Sequence, residues 1–194
     1  MIRSLVSLRE AEVADAPFLA TLWVDALRRA EHDDHVTDLE HVVTNAATSP
    51  EQRLVVAEYD GQAAGAVLLR VTTVTPLNLD LSVQVISPHV APQFRRHGVG
   101  RTLMECAVAF ADEAGATHLC TAATSSSRDA NRFLARLALG PLATLRMAPV
   151  SAVRARLVAQ RPDLGTSGSG RQLTRVLAAR RSMRRAQATA EYSS

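Results

Sequence analysis

The chain has 194 residues, 47% hydrophobic and 21% charged, which is enough for one sizeable core but short for two full domains. Its formal net charge of +3 is unevenly spread, because residues 164–194 carry six arginines against Glu191 alone while the rest of the chain is slightly acidic. No apolar run approaches the roughly 20 residues that span a bilayer, and acids near the N-terminus stand where a secretory signal needs an apolar stretch, so we expect a cytoplasmic protein.

The first part of the chain is predicted to form a strand followed by two helices. An apolar segment at residues 4–8 predicts the strand, and Asp15 and Pro17 are suited to the start of a helix whose apolar residues recur at helical spacing up to residue 27. The charged run 31–35 interrupts this pattern, and a second helix is predicted over residues 38–47. We expect Phe18 and Trp23 to lie in the core rather than to bind a ligand.

The middle of the chain is predicted to form three strands. Residues 53–59 and 63–74 are rich in β-forming side chains, and the Asp60-Gly61 pair between them is a strong hairpin signal. A third strand is predicted to run from residue 81 to about 90. Because Pro88 has no amide donor, this strand should be bulged or unpaired on one side near its end.

Helices and strands are predicted to alternate after this point. Helices are indicated over residues 100–114 and 127–137, and strands over 118–123 and 142–147. The GTSGSG run at 165–170 predicts a flexible linker, and the arginine-rich segment after it should be helical only where it docks. We therefore place one domain at residues 1–150 and a C-terminal extension at 151–194.

Cys106 and Cys120 each lie within an apolar periodic segment rather than in a metal-type or redox-type pair. We expect both to be small buried side chains in a reducing compartment. His32, His35 and His41 form no compact ligand motif, so no metal site is predicted.

The segment from Val90 to Leu103, between a predicted strand and a predicted helix, has the features of an anion-binding loop. Gly98 and Gly100 let backbone amides approach an anion closely, and the start of the helix adds free N–H groups and the positive end of its dipole. Three arginines add charge that suits a pyrophosphate: Arg95, Arg96 and Arg101. The Walker pattern is absent, and the dinucleotide pattern fails because Leu103 stands where its third glycine belongs.

This segment resembles the signature of the GNAT superfamily of N-acetyltransferases, which is Gln/Arg-x-x-Gly-x-Gly/Ala after a bulged strand. Residues 95–100 match it in full, and the predicted order of elements matches that fold from residue 4 to about residue 147, roughly three quarters of the chain. The resemblance implies an α/β (α+β) fold with a mixed, splayed central sheet flanked by helices. It also implies that acetyl-CoA or another acyl-CoA lies in the splay, with its pyrophosphate on residues 95–100 and its pantetheine paired with the strand before Val90.

The resemblance also assigns residues to the cofactor. Those expected to contact it are Val90, Arg95, Arg96, His97, Gly98, Val99, Gly100, Arg101, Thr102 and Ser127, the last at a position where the family often has Asn. Leu134 stands where the family often has a Tyr that protonates the leaving thiolate, and Gln84 where a carboxylate base is frequently found. The catalytic groups therefore stay unassigned, with Asp80, Gln84 and Ser87 as weak candidates because they are the polar residues nearest to Val90 in sequence.

The expected reaction is direct attack of an amine on the thioester of acetyl-CoA. The acceptor, a small-molecule or peptide amine, is not identified by the sequence. Glu31, Asp33 and Asp34 either attract a cationic amine or form a solvated loop. We expect no membrane partner and no nucleic acid, and a homodimer is left open.

Two other functions remain as alternatives. A CoA-binding sensor or pseudoenzyme with a basic interaction tail agrees with the missing acid and base. Nucleic-acid binding led by the tail would be steeply salt-dependent.

Overall fold

The computed structural model describes residues 5–27, 31–123 and 126–160, which divide into a first unit ending at Pro141 and a second beginning at Leu142. The regular elements of the first unit are β1 (Val6–Glu10), α1 (Ala16–Leu22), α2 (His32–Thr48), β2 (Gln52–Tyr59), β3 (Gln62–Thr75), β4 (Asn78–Val90), α3 (Val99–Glu113), β5 (His118–Thr121) and α4 (Arg128–Arg136). The second unit contains α5 (Val150–Ala159). The GTSGSG linker and the arginine-rich segment predicted from the sequence lie outside the described residues.

The five strands form one mixed sheet in the order β1-β2-β3-β4-β5. Neighbouring strands are antiparallel except for β4 and β5, which are parallel. Asp60 and Gly61, with φ of 50° and 75°, form the two-residue turn between β2 and β3 that their sequence predicts, since this turn type needs positive φ at both positions.

Helices cover both faces of this sheet because side chains alternate along each strand. Val55, Val67 and Val85 point to the face covered by α3. Leu54 and Val56 point to the opposite face, which is covered by α1 and α2. The result is the α/β architecture with a mixed sheet flanked by helices that the sequence predicts.

The boundaries of the first two helices differ from the sequence prediction. Helix α1 ends at Leu22, and the charged run 31–35 does not interrupt a pattern but begins α2. Glu31 is the N-cap residue of this helix, with an extended backbone, and Asp33 and Asp34 in the first turn complement the positive end of the helix dipole. His35 is buried on the inner face of the helix.

The predicted strand at residues 142–147 is wrong, because the structure describes this segment without regular secondary structure. Leu142, Leu145 and Met147 are each at least 90% exposed. An apolar pattern becomes a strand only when a neighbour accepts its backbone hydrogen bonds, and the described residues provide none here. Pro141 and Pro149, which lack amide donors, flank the segment.

An arginine-centred network joins β1, β2 and the start of α1. The Arg9 guanidinium donates to both carboxylate oxygens of Asp15 at 2.7 Å and to Glu58 Oε1 at 2.7 Å. Asp15 also accepts the backbone N–H of Glu12 at 2.8 Å. The hydrogen bond from Arg9 lowers the pKa of the Asp15 carboxyl, against the opposing effect of burial.

We expect Asp15→Asn to lower the unfolding free energy at pH 7 by about 2 kcal/mol, since hydrogen bonds to a charged group contribute about 1.5–3 kcal/mol. The pKa of Asp15 is lower in the folded protein than in the unfolded chain, so its contribution is present above the unfolded value of about 3.9 and is lost as the pH falls through the folded value. Urea unfolding at a series of pH values from 7 down to 2 measures this. The difference in unfolding free energy between the parent protein and the variant should shrink toward pH 2. A difference that stays constant with pH would contradict this role of Asp15.

Candidate functional site

Strand β4 extends beyond the last residue at which it pairs with the parallel strand β5. Its pairing with β5 stops at Val85 and Thr121, where the Thr121 hydroxyl donates to the Val85 carbonyl at 2.8 Å. Strand β4 continues to Val90, and in the described residues no strand pairs with this last part on the β5 side. We call residues 86–90 on this side the open edge of β4.

A bulge lies within the same part of β4. The register with β3 shifts between Ile86 and His89, which leaves Ser87 and Pro88 as the irregular residues. Ser87 has φ of 47°, a left-handed conformation that non-glycine residues rarely adopt. The bulge that Pro88 predicts is therefore confirmed.

The main chain of Val90 faces the open edge. The next residue, Ala91, donates its N–H to the Ala64 carbonyl at 2.8 Å, and hydrogen-bonded positions alternate along an antiparallel ladder. The N–H and C=O of Val90 therefore point away from β3. On the β3 side, Gly65 allows an unusually close approach, since a Cβ there would lie 2.6 Å from the His89 carbonyl oxygen.

The loop from Ala91 to Gly98 leads from the open edge into α3. It forms a short 3-10 turn at Pro92–Phe94, and Arg96 and Gly98 then have φ of 64° and 88°. Gly98 is the N-cap of α3. Among the described residues no acceptor is found for the backbone N–H groups of six consecutive residues, which are Arg96, His97, Gly98, Val99, Gly100 and Arg101. These donors and the helix dipole make the loop suited to an anion.

Aromatic packing holds this loop against the sheet. The Tyr59 ring at the end of β2 lies 5.9 Å from the Phe94 ring and 4.7 Å from the His97 ring, measured between centroids. His97 Nδ1 lies 2.9 Å from the Arg95 carbonyl oxygen, so Nδ1 carries the proton, because a carbonyl only accepts. No local sequence pattern indicates the role of Tyr59, because only the folded sheet brings its ring to the loop.

The loop arginines are not equivalent. Arg95 and Arg96 are exposed, and no carboxylate in the described part of the chain forms an ion pair with them. Arg101 Nε donates to Glu105 Oε1 at 2.8 Å, so its charge is already partly offset. Thr102 Oγ1 donates to the Gly98 carbonyl at 3.3 Å within the first turn of the helix. Within the described part of the chain, Arg95 and Arg96 are thus the loop arginines without an ion pair.

The first turn of α3 also meets α4 and the end of β4. A Cβ at Gly100 would lie 3.6 Å from Val90 Cγ2 and 3.8 Å from the Phe133 ring, both ordinary contacts. Ser127 is the N-cap of α4 and accepts the Asn131 side-chain amide at 2.7 Å through its carbonyl. Leu134, in the last turn of α4, is buried.

The three weak catalytic candidates are widely separated along β4. Asp80 is the third residue of the strand. At the usual rise of a strand it lies about 17 Å from Val85, the residue just before the open edge. Gln84 uses its side-chain oxygen to accept a 2.6 Å hydrogen bond from Arg70 on β3. Ser87 is at the bulge, beside the open edge. The structure therefore brings Ser87 to the site and leaves Asp80 far from it.

The thiols differ from the sequence expectation. Cys106 is half-buried, and burial raises its pKa, whereas Cys120 is exposed. The expectation that both are buried is wrong for Cys120. It lies on an edge strand, on the face opposite to Leu119, and does not belong to the described core that α1 and α2 cover.

No group of His, Cys, Asp and Glu side chains in residues 5–27, 31–123 and 126–160 is arranged to hold a metal ion. In the same residues no helix is long and apolar enough to cross a membrane.

Comparison with known proteins gives one family and many solved structures of the same fold. Residues 16–139 match the acetyltransferase (GNAT) family model. A search of curated proteins found no match. A transcriptional regulator from Bacillus halodurans C-125 superposes with a TM-score of 0.62 at 19% identity, covering 74% of this chain and 99% of its own.

Two further structures are those of named acetyltransferases. An aminoglycoside N-acetyltransferase in complex with CoA has a TM-score of 0.61 at 14% identity and covers 74% of this chain and 93% of its own. A ribosomal-protein-alanine N-acetyltransferase from Brucella melitensis biovar Abortus 2308 has a TM-score of 0.56 at 17% identity and covers 74% of this chain and 98% of its own. At these identities the likeness concerns the fold.

Proposed function

Because this chain belongs to the acetyltransferase (GNAT) family, whose members transfer an acetyl group from acetyl-CoA to an amine, we propose that the open edge of β4 and residues 95–100 together form its acetyl-CoA site. These residues include the end of the loop and the start of α3. The observation that carries the proposal is the run of six backbone N–H groups without an acceptor among the described residues, at the start of α3. A linked diphosphate is the ligand class that such a run of donors suits.

The residues of the loop would share the binding in a defined way. The amides from residue 96 to residue 101 would donate to the diphosphate, and Arg95 and Arg96 would add charge. Arg101, engaged by Glu105, would contribute its amide rather than its guanidinium. Ser127, at the N-terminus of α4, and Thr102 remain expected contacts.

The open edge would position the thioester. Attack of an amine nitrogen on the thioester carbonyl forms a C–N bond and places negative charge on the carbonyl oxygen and positive charge on the nitrogen. The C–S bond then breaks to release the CoA thiolate, and the nitrogen gives up a proton to solvent. The Val90 N–H points to the side where that oxygen would lie and can stabilise it. The amine must arrive as the free base.

A dedicated side-chain acid is not required for the leaving group. A thiol has a pKa of about 8.5, so the thiolate is a good leaving group near neutral pH and can take its proton from solvent. Leu134 cannot donate a proton, and the Gln84 amide neither donates nor accepts one at neutral pH. Alignment of the amine with the thioester can supply about 7–11 kcal/mol of the rate enhancement.

We expect the pH dependence of kcat/KM to follow the acceptor amine rather than an enzyme base. With two acceptors whose amine pKa values differ, the rising limb of each profile should move with the acceptor. The measurement is thiol release at a series of pH values for both acceptors. A limb fixed at one pH for both would instead identify a general base on the protein.

The activity test combines binding with turnover. CoA affinity would be measured by calorimetry, and thiol release from acetyl-CoA would be followed with a panel containing an aminoglycoside, a peptide with N-terminal alanine, a lysine peptide and a polyamine. We expect micromolar binding and amine-dependent thiol release with at least one class. Binding without release for every amine class would favour a CoA-binding sensor, and absence of binding would overturn the proposal.

We expect Tyr59→Ala to weaken CoA binding about tenfold, because aromatic pairs contribute about 0.5–1.5 kcal/mol beyond their buried area and this one holds the loop. Tyr59→Phe keeps both ring contacts and is the matched control. Calorimetric titration with CoA measures the effect. Equal affinity for the alanine and phenylalanine variants would show that ring packing does not shape the loop.

A further inference from the structure

Trp23 connects helix α1 to the bulge of β4. It is the one tryptophan of the chain, it follows the last residue of α1, and it is 5% exposed. Its indole Nε1 donates to the Ser87 carbonyl oxygen at 2.8 Å. This is a single hydrogen bond between the helical layer and the irregular part of β4.

The accepting carbonyl belongs to a residue in a strained backbone conformation. Ser87 is held at φ of 47°, which costs about 1–2 kcal/mol for a residue with a side chain. Pro88 follows it and has no N–H with which to continue the ladder. Two residues earlier, Val85 is the last residue of β4 that pairs with β5. The strained conformation therefore depends on contacts from outside the sheet.

The conformation of Ser87 determines the direction of Val90. Across the bulge the β3 register changes, so that His89 lies opposite Ala66. With this register the Val90 N–H points to the open edge. A slip of one residue would exchange hydrogen-bonded and free positions and would turn that N–H toward β3.

We propose that Trp23 is a positioning residue for acyl transfer, which holds the β4 bulge in the register that keeps the Val90 N–H directed at the open edge. The inference rests on the proposed function for its consequence in catalysis. Its structural content, the locking of the bulge by the indole N–H, can be measured without an acceptor.

The test uses Trp23→Phe, which keeps an aromatic ring in the core but removes the donor. Val43→Ala is the matched control, because Val43 is 2% exposed in the same core and has no hydrogen bond to the bulge. Amide hydrogen exchange of the full chain would be measured by NMR at His89 and Ala91, whose N–H groups face β3. In Trp23→Phe we expect exchange at both amides to be at least tenfold faster relative to that at Val55 in β2, and in Val43→Ala we expect this ratio to be unchanged.

Kinetics with an acceptor found in the amine panel completes the test. Trp23→Phe should lower kcat at least tenfold while the affinity for CoA falls less than tenfold, because the variant disturbs the open edge but the loop donors do not depend on the indole. Unchanged exchange at His89 and Ala91, or the same change in Val43→Ala, would overturn the inference. Failure of the parent protein to bind CoA would overturn the proposed function instead, while the exchange measurement would still decide the role of Trp23 in the bulge.

Discussion

Gly98→Val is expected to weaken CoA binding at least 100-fold while the protein stays folded. Gly98 has φ of 88° and is the N-cap of α3. A β-branched residue cannot hold this conformation without strain, so the loop would rotate and scatter its aligned N–H groups. Hydrogen bonds to a charged group contribute about 1.5–3 kcal/mol each, and losing two of them is enough for a 100-fold change.

Gly115→Val is the matched control for that experiment. Gly115 follows the other end of α3 with φ of 67°, and, as at Gly98, a Cβ there would meet no atom within 4 Å. Both variants therefore impose the same kind of backbone strain on the same helix. Calorimetry with CoA and thermal unfolding would be run on both. We expect both variants to lose a comparable amount of stability and only Gly98→Val to lose CoA binding. Equal CoA affinity in the two variants would show that the loop is not part of the binding site.

Gly65→Ala is expected to lower the unfolding free energy by about 2–3 kcal/mol, as overpacking of a tight contact does, and to reduce the Tm by roughly 5–10 °C. The added Cβ would lie 2.6 Å from the His89 carbonyl oxygen, and a backbone atom cannot move aside alone. It would also lie 3.3 Å from Val99 Cγ1 and 3.4 Å from Leu103 Cδ1. Strand β4 and the first turn of α3 must therefore shift together.

The same variant should weaken CoA binding about tenfold, the equivalent of about 1.4 kcal/mol, because that first turn carries the loop donors. Gly140→Ala is the control, since a Cβ there meets nothing within 4 Å. Thermal unfolding and CoA titration of both variants measure the two effects. A Gly65→Ala variant as stable as the parent would show that β3 and β4 can separate at this point without cost.

Features set by neighbours in the chain were predictable from the sequence. The Asp60-Gly61 turn, the bulge at Pro88 and the glycine at the start of α3 follow from the dihedral angles that these residues favour or exclude. The family resemblance of residues 95–100 depends on the same local signals, and the family model matches the chain across them.

Features set by distant residues were not predictable in the same way. The strand expected at residues 142–147 failed because an apolar pattern cannot show whether a partner strand is present. Cys120 was expected to be buried because its segment is apolar, but β5 is an edge strand with an uncovered face. The contact of Trp23 with Ser87 joins residues far apart in the chain.

The sequence by itself determined the loop, the helix that follows it and the interruption of the strand before it, because each depends on backbone angles that one or two adjacent residues fix. Only the tertiary structure decided which donors stay free, which arginine is already paired and which side chains hold the bulge and the loop in place. Those properties depend on distances between atoms that the chain brings together only when the sheet forms, and no local pattern encodes them.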